Sequence, residues 1–181
     1  EGFVMQKTNF RFEVIVHDDA STDRTADIIR EYAEKYDFIK PIFQKENQYS
    51  KNIPFGIKYI YPLMKGKYIA YCEGDDYWTD PNKLQILYDY MVIHPNCSMC
   101  CHAYENIEAN TEKIIGEVHT IEEDGTITIQ KAIKYDNPSQ LASQMFRREC
   151  VINKPAIYNN RGIGDYTVLL YAATLGEIHY I

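Results

Sequence analysis

The 181-residue sequence has no block of basic residues, no long apolar run and too few cysteines for a disulfide framework. With a net charge of −7 and no basic stripe, nucleic acid is excluded as the main partner. No apolar stretch approaches the ~18 residues of a membrane span, and no signal peptide is expected. The expected location is therefore cytoplasmic, with peripheral association at the inner face of a membrane left open. Cysteine occurs five times, at Cys72, Cys97, Cys100, Cys101 and Cys150. An odd number in a chain of this size points to a reducing compartment rather than to disulfides. Cys97-x-x-Cys100 lacks a second pair at zinc-like spacing, so these residues read as core thiols in or beside a strand. Internal repeats and linkers are also missing, which predicts one domain over residues 1–181. Tryptophan occurs once, but tyrosine occurs sixteen times, mostly as expected core filling and otherwise as lining for a sugar groove.

What is present is an ordinary globular composition, 45% apolar and 25% charged. Its most informative stretch runs from Lys65 to Leu84. Tyr68 to Cys72 is a short apolar run bounded by Gly66 and Gly74, which reads as a buried strand. Glu73, Asp75 and Asp76 follow where it ends. Asp80 as N-cap and Pro81 at the first helical position then open a helix. Three carboxylates crowded at one strand-to-helix turn repel one another, and a hard divalent cation relieves that repulsion with oxygen ligands. A solvated acidic turn before a capped helix is the alternative.

Upstream, Phe12 to His17 reads as a strand, with Val14, Ile15 and Val16 too apolar for an exposed edge. It runs into Asp18-Asp19-Ala20-Ser21-Thr22-Asp23, where Asp23 is foremost a cap for the next helix. Ala26, Ile29, Ala33 and Tyr36 share one face of that helix, with Ile28 and Tyr32 beside them. Ile39 to Gln44 is a second strand, and Pro41 places it at a sheet edge. Strand, helix, strand in this order predicts a parallel pair. Ile53 to Met64 is helical in pattern, interrupted by Pro62. Leu84, Leu87, Tyr88 and Met91 form the stripe of a helix ending near His94-Pro95, and Ser98 to Tyr104 is a strand. Ile114 to Thr120 and Thr126 to Gln130 flank Glu123-Asp124-Gly125 as a hairpin. Asn137-Pro138 marks a turn, and Gln144 to Arg147 reads as a strand. Gly164 to Leu175 is a helix stopped by Gly176, and Glu177 to Ile181 starts another strand. The fold class is α/β, with a mixed, mostly parallel sheet flanked by helices.

In open α/β sheets, ligands bind outside the carboxyl ends of the strands, so the turns at Asp18-Asp19 and at Glu73-Asp75-Asp76 are expected to face one pocket. So much negative charge suits a cation-bridged anion such as a nucleoside diphosphate with Mg²⁺ or Mn²⁺. A carboxylate there can also accept the ring N–H of a pyrimidine, as acidic side chains do from base-edge donors. Other polar residues have milder readings. His17 and His102 are ordinary hydrogen-bonded histidines, Trp78 is a core anchor or a sugar platform, and Arg147 or Arg148 neutralises a diphosphate or lies at the surface.

Taken in order, Asp18-Asp19-Ala-Ser-Thr-Asp23, then Gly66-Lys-Tyr-Ile-Ala-Tyr-Cys-Glu-Gly-Asp75-Asp76-Tyr-Trp78, then Gly164-Asp165 at a late helix, resemble a family 2 glycosyltransferase of the GT-A fold. That resemblance implies an inverting transfer of a sugar from a nucleotide sugar, foremost a UDP-sugar, to a hydroxyl of a saccharide acceptor. It implies Mn²⁺ or Mg²⁺ as cofactor, on Asp76 with Asp75, and Asp75 and Glu73 near the sugar and phosphates. By the same resemblance Asp19 contacts uracil with Asp18 beside it, and Asp165 is the general base. A helix-terminal acid favoured by the macrodipole is the other reading of Asp165. The family's first strand is expected before Glu1, and its acceptor region after Ile181. A nucleotidyltransferase, and a nucleotide- or carbohydrate-binding module without turnover, remain as alternatives.

Overall fold

A computed structural model of the chain describes residues 1–109, 111, 113–115, 125–134, 139–158 and 164–181; the side chains of Lys134, Tyr158 and Asp165 lie outside that description. Two compact units result. Residues 9–66 with Glu1 and Phe3 form the first, and residues 67–181 with Gly2 and Val4–Thr8 the second.

In the first unit the β-branched run Val14-Ile15-Val16 falls in strand β1 (Val14–Asp18). Helix α1 (Thr25–Lys35) follows, then strand β2 (Ile39–Phe43). The two strands pair in parallel from Val14↔Ile39 to Asp18↔Phe43, as expected from their order. Pro41 lies in a two-stranded sheet, where each strand has one edge off the ladder. At the start of α1 the Asp23 carboxylate accepts the Thr25 N–H at 2.9 Å, which satisfies one of the helix's orphan donors. Ala26, Ile29, Tyr32 and Ala33 are half-buried, whereas Ile28 is exposed. Residues 53–64 depart from the expected helix. They form a π-turn at Gly56–Ile60 and a 3-10 turn at Tyr61–Leu63. The Tyr61 N–H reaches the Gly56 carbonyl, and Pro62 has no N–H with which to continue an α-helical ladder.

The second unit is built on a five-stranded sheet in the order β3-β6-β4-β7-β5. Its strands are β3 (Tyr68–Ala70), β4 (Cys97–Cys101), β5 (Gly125–Ile127), β6 (Met145–Arg147) and β7 (Glu177–Tyr180). The helices are α2 (Lys83–Ile93), α3 (Ile129–Lys134), α4 (Arg148–Ile152) and α5 (Gly164–Leu175). Strand β4 is central and buried at all five residues. Both α2 and α5 pack against it, which explains its unbroken run of small and sulfur side chains. Met91, Met99, Phe146, Leu169 and Ile178 complete the core.

The mixed α/β class agrees with the expectation, but the sheet is less parallel than the alternation of strands and helices implied. Within it only β4 and β7 run parallel, while β3–β6, β4–β6 and β5–β7 are antiparallel. The physical reason is the insertion of β6 between β3 and β4, a pairing across a long stretch of chain. Strand β3 ends at Ala70, two residues short of Cys72. Helix α2 starts at Lys83, and Asp80 accepts the Asn82 N–H at 2.8 Å in a turn ahead of it rather than capping it. The segment Thr126–Gln130 divides into the end of β5 and the start of α3. The expected turns at Glu123-Asp124 and Asn137-Pro138, and most of Ile114–Thr120, lie outside the described residues; Ile114 itself bridges to Ile107. Among the described tyrosines only Tyr180 is buried and most are half-buried, so they edge the core rather than fill it. All five cysteines are free, four of them buried. No helix of the described residues is long and apolar enough to cross a membrane.

Gly176, between α5 and β7, is required by close approach. A Cβ there would lie 2.3 Å from the Asn96 carbonyl oxygen, and Glu177 donates its N–H to that same oxygen at 2.9 Å. Gly176→Ala is therefore expected to lower the unfolding free energy by roughly 1–3 kcal/mol. A urea midpoint equal to that of the wild type would show that the Asn96 backbone yields instead.

Candidate functional site

The first acidic turn belongs to the first unit. Asp18 ends β1 and is 5% exposed, and its Oδ1 is buried with no hydrogen-bond partner. Each oxygen of the next carboxylate takes one loop N–H. Asp19 Oδ1 accepts the Gln48 N–H at 2.8 Å and Oδ2 the Tyr49 N–H at 2.9 Å. Asn47 donates its side-chain amide to the Asp19 carbonyl at 3.2 Å. Asp19 thus organises the loop at 47–50, and Asp18 carries the unanswered oxygen. Ala20 takes a left-handed φ of 63° immediately after them, a conformation uncommon away from glycine and typical of strained functional turns.

His17 precedes both. Its ring stacks on Phe55 at 4.9 Å and 3°, and its Nε2 takes a hydrogen bond from the Gln44 amide at 3.2 Å. Burial lowers its pKa, opposed by the charges of Asp19 and then Asp18. It is the hydrogen-bonded histidine expected.

In the second unit, Glu73, Gly74 and Asp75 are exposed on the turn after β3, while Asp76 is half-buried. The Asp76 N–H closes the turn onto the Glu73 carbonyl at 3.2 Å, and the Cys72 thiol donates to the Asp76 carbonyl at 3.4 Å. Asp76 Oδ2 is buried without a hydrogen-bond partner. Burial raises the Asp76 pKa, the charge of Asp75 raises it further, and Lys83 opposes both. This is the like-charge crowding expected of the turn, concentrated on one carboxylate. Among the described residues no three His, Cys, Asp or Glu side chains gather as a ready-made metal set.

Trp78 ends the turn as an anchor. It is 8% exposed and donates its Nε1–H to the Ala142 carbonyl at 3.0 Å. Beside it stands Lys83, whose burial had no sequence signal beyond its place at the start of α2. Its ammonium donates to the same carbonyl and lies 4.3 Å from the indole centroid. Burial brings its pKa down to about 7. His102, just past β4, donates Nδ1–H to the Ala103 carbonyl at 2.6 Å, which leaves Nε2 as a buried acceptor without a partner. Burial, with the Lys83 charge second, takes its pKa to about 4.

Arg147 is structural. Its Nε donates to the Cys97 carbonyl at 2.6 Å, and its Nη2 donates to those of Met91 and His94 at 2.9 and 3.1 Å. Arg148 keeps a buried Nε without a partner. The cysteines behave as core thiols, with burial pushing Cys72 up to about 11 and Cys101 and Cys150 to about 12. Asp165 is the second residue of α5; its side chain lies outside the described residues.

Residues 3–153 match the model of the family described as glycosyl transferase family 2. An uncharacterized protein of Mycobacterium tuberculosis strain H37Rv is 44% identical over 103 residues, which are 56% of this chain and 29% of that protein. YdaM of Bacillus subtilis, named a probable glycosyltransferase, is 35% identical over 78 residues, 43% of this chain and 18% of its own. The Escherichia coli protein WfaP, named a UDP-Glc:alpha-D-GlcNAc-diphosphoundecaprenol beta-1,3-glucosyltransferase, is 34% identical over 75 residues, 41% of this chain and 28% of its own. The chain thus spans less than a third of the length of these curated relatives.

Asp19→Ala leaves the N–H groups of Gln48 and Tyr49 without their acceptor, and Gln48 is buried. The expected loss is roughly 1–3 kcal/mol of stability, together with faster proteolysis within residues 45–52. Wild-type unfolding and cleavage rates would mean that water replaces the carboxylate without penalty.

Proposed function

The chain belongs to glycosyl transferase family 2, and from that premise we propose that it moves a sugar from a UDP-sugar to a saccharide hydroxyl, with inversion and with a divalent cation held at Asp76. The observation that carries this reading is the buried, partnerless Oδ2 of Asp76 on the turn between β3 and α2. An ionised carboxylate kept half-buried beside a second acid is unfavourable until a cation meets it. With no third protein ligand gathered among the described residues, the set would be completed by Asp75, phosphate oxygens and water, the usual arrangement for Mg²⁺ on nucleotides. Such a cation supplies neutralisation of the diphosphate as it departs. Glu73 and Asp75, exposed on the same turn, are the groups assigned to the sugar and phosphates.

For the nucleoside we assign Asp18, with Asp19 beside it, as the reader of the uracil N3–H, because each oxygen of Asp19 already takes a loop N–H while Asp18 Oδ1 has no hydrogen-bond partner. A relative named for UDP-Glc supports the uridine donor. Asp165 is assigned as the base. It takes the proton of the acceptor hydroxyl as that oxygen attacks the anomeric carbon, and the bond from that carbon to the diphosphate breaks on the opposite side to release UDP.

Calorimetry of UDP binding with and without Mn²⁺ tests the donor side. Asp76→Ala is expected to abolish the Mn²⁺-dependent part while leaving stability unchanged or raised, since it removes a buried unsatisfied oxygen. Asp18→Ala is expected to weaken UDP more than Mn²⁺-pyrophosphate, by roughly 1–3 kcal/mol. Retained Mn²⁺ dependence in the first variant, or equal weakening of both ligands in the second, sinks the corresponding assignment.

On the acceptor side, Asp165→Asn keeps shape and hydrogen bonding but cannot take a proton. In the full-length protein it is expected to lower turnover, followed as released UDP, by a factor on the order of 10²–10⁴ with donor affinity intact. Wild-type turnover would reduce Asp165 to a helix-terminal acid.

A further inference from the structure

Lysines near helix ends ordinarily run their alkyl stems along the surface and keep the ammonium in water. Lys83 does the opposite and is 4% exposed. Its Nζ donates to the Ala142 carbonyl and stands over the ring of Trp78. Trp78 donates its own Nε1–H to that carbonyl. One oxygen, in the 3-10 turn Leu141–Ser143, therefore receives both the residue that ends the acidic turn and the first residue of α2. Cation–π contact with the indole holds the two donors to each other as well as to the oxygen. No carboxylate pairs with this ammonium among the described residues, although Asp76 and Cys72 are the groups whose charge it feels. Burying a cation without an ion pair is expensive, and an apolar side chain of similar length would fill the space more cheaply.

We propose that Lys83 is the positioning residue of the acidic turn: through the Trp78 ring and the Ala142 carbonyl it fixes the segment from Asp76 to α2, and so fixes where the Asp76 carboxylate stands. This rests on the donor reading given above. The ammonium is buried against the Trp78 ring and the Ala142 carbonyl, so it acts through them rather than by touching the donor. A displacement of the order of 1 Å at such a group is enough to lose a factor of ten or more in productive binding.

The test is UDP affinity in the presence of Mn²⁺, measured by calorimetry and paired with Trp78 emission, in variants checked for folding by circular dichroism. Trp78 is the chain's one tryptophan, so emission reports this clamp alone. Lys83→Met is expected to raise the Kd for UDP with Mn²⁺ by about tenfold or more and to shift the emission of the unliganded protein. Lys83→Arg, which keeps charge and donors, recovers part of the affinity. A lysine that merely stabilised the fold would lower the unfolding midpoint and leave the Kd of the folded protein unchanged, and that result in Lys83→Met overturns the proposal. Should Lys83→Met fail to fold, Trp78→Phe decides, because it keeps a ring but loses the bond to Ala142. A several-fold rise in Kd supports the clamp and an unchanged Kd overturns it. A wild-type chain with no Mn²⁺-dependent UDP affinity would overturn the donor reading, and this inference with it.

Discussion

A single guanidinium holds the second unit to its topology. Arg147 lies on β6, and its donors reach the Cys97 carbonyl at the start of β4 and the Met91 and His94 carbonyls at the end of α2. Its planar head also stands 5.5 Å from the centroid of Tyr68 on β3. Four elements therefore depend on one side chain. The last carbonyls of a helix have no partners within it, and cationic donors at a C-terminus answer both the orphan oxygens and the macrodipole. Hydrogen bonds with a charged donor contribute about 1.5–3 kcal/mol each, and losing the guanidinium would remove three of them at once. This interaction explains why an arginine that reads from sequence as a diphosphate partner or a surface residue is committed to structure.

The same arrangement explains which parts of the fold were legible. Strands β1, β3 and β7 are short runs rich in β-branched and aromatic residues beside glycine or acidic breaks, and local pattern identifies them. Helices α1, α2 and α5 are long enough for their period to show. Helix α4 has five residues and follows β6 with no breaker between Arg147 and Arg148, so nothing local marks it. The direction of β6 is set by pairing with β3 and β4, elements distant in sequence, and strand–helix alternation says nothing about such a pairing. This is why the sheet carries more antiparallel pairs than its order suggested.

The site divides in a similar way. Acidic residues at strand ends are legible because the residue types and the turn are both local. Which carboxylate the rest of the fold engages is not local. Asp18 and Asp19 are adjacent and chemically identical, and only the distant loop at 47–50 distinguishes them, by presenting two backbone N–H groups to Asp19. Asp75 and Asp76 are likewise adjacent, and burial separates them, with one in water and the other holding a covered oxygen. In each pair one acid keeps an oxygen that is both buried and unanswered.

That pattern bears on why these groups are present at all. A buried polar atom without a partner costs about 1–3 kcal/mol, and a marginally stable fold can carry few of them. Asp76 in the turn and Lys83 at the start of α2 both carry the cost of burying a charge: burial drives the acid's pKa up and the amine's down. Each opposes the shift of the other, yet the two do not form an ion pair among the described residues. Had stability alone shaped the turn, a direct pair or an apolar substitution would have removed both penalties. Perturbed groups that persist unpaired mark places where the local rules of folding yield to another requirement. Under the donor reading proposed above, that requirement is a cation brought to the carboxylate from outside the protein, with the buried lysine keeping the turn in place.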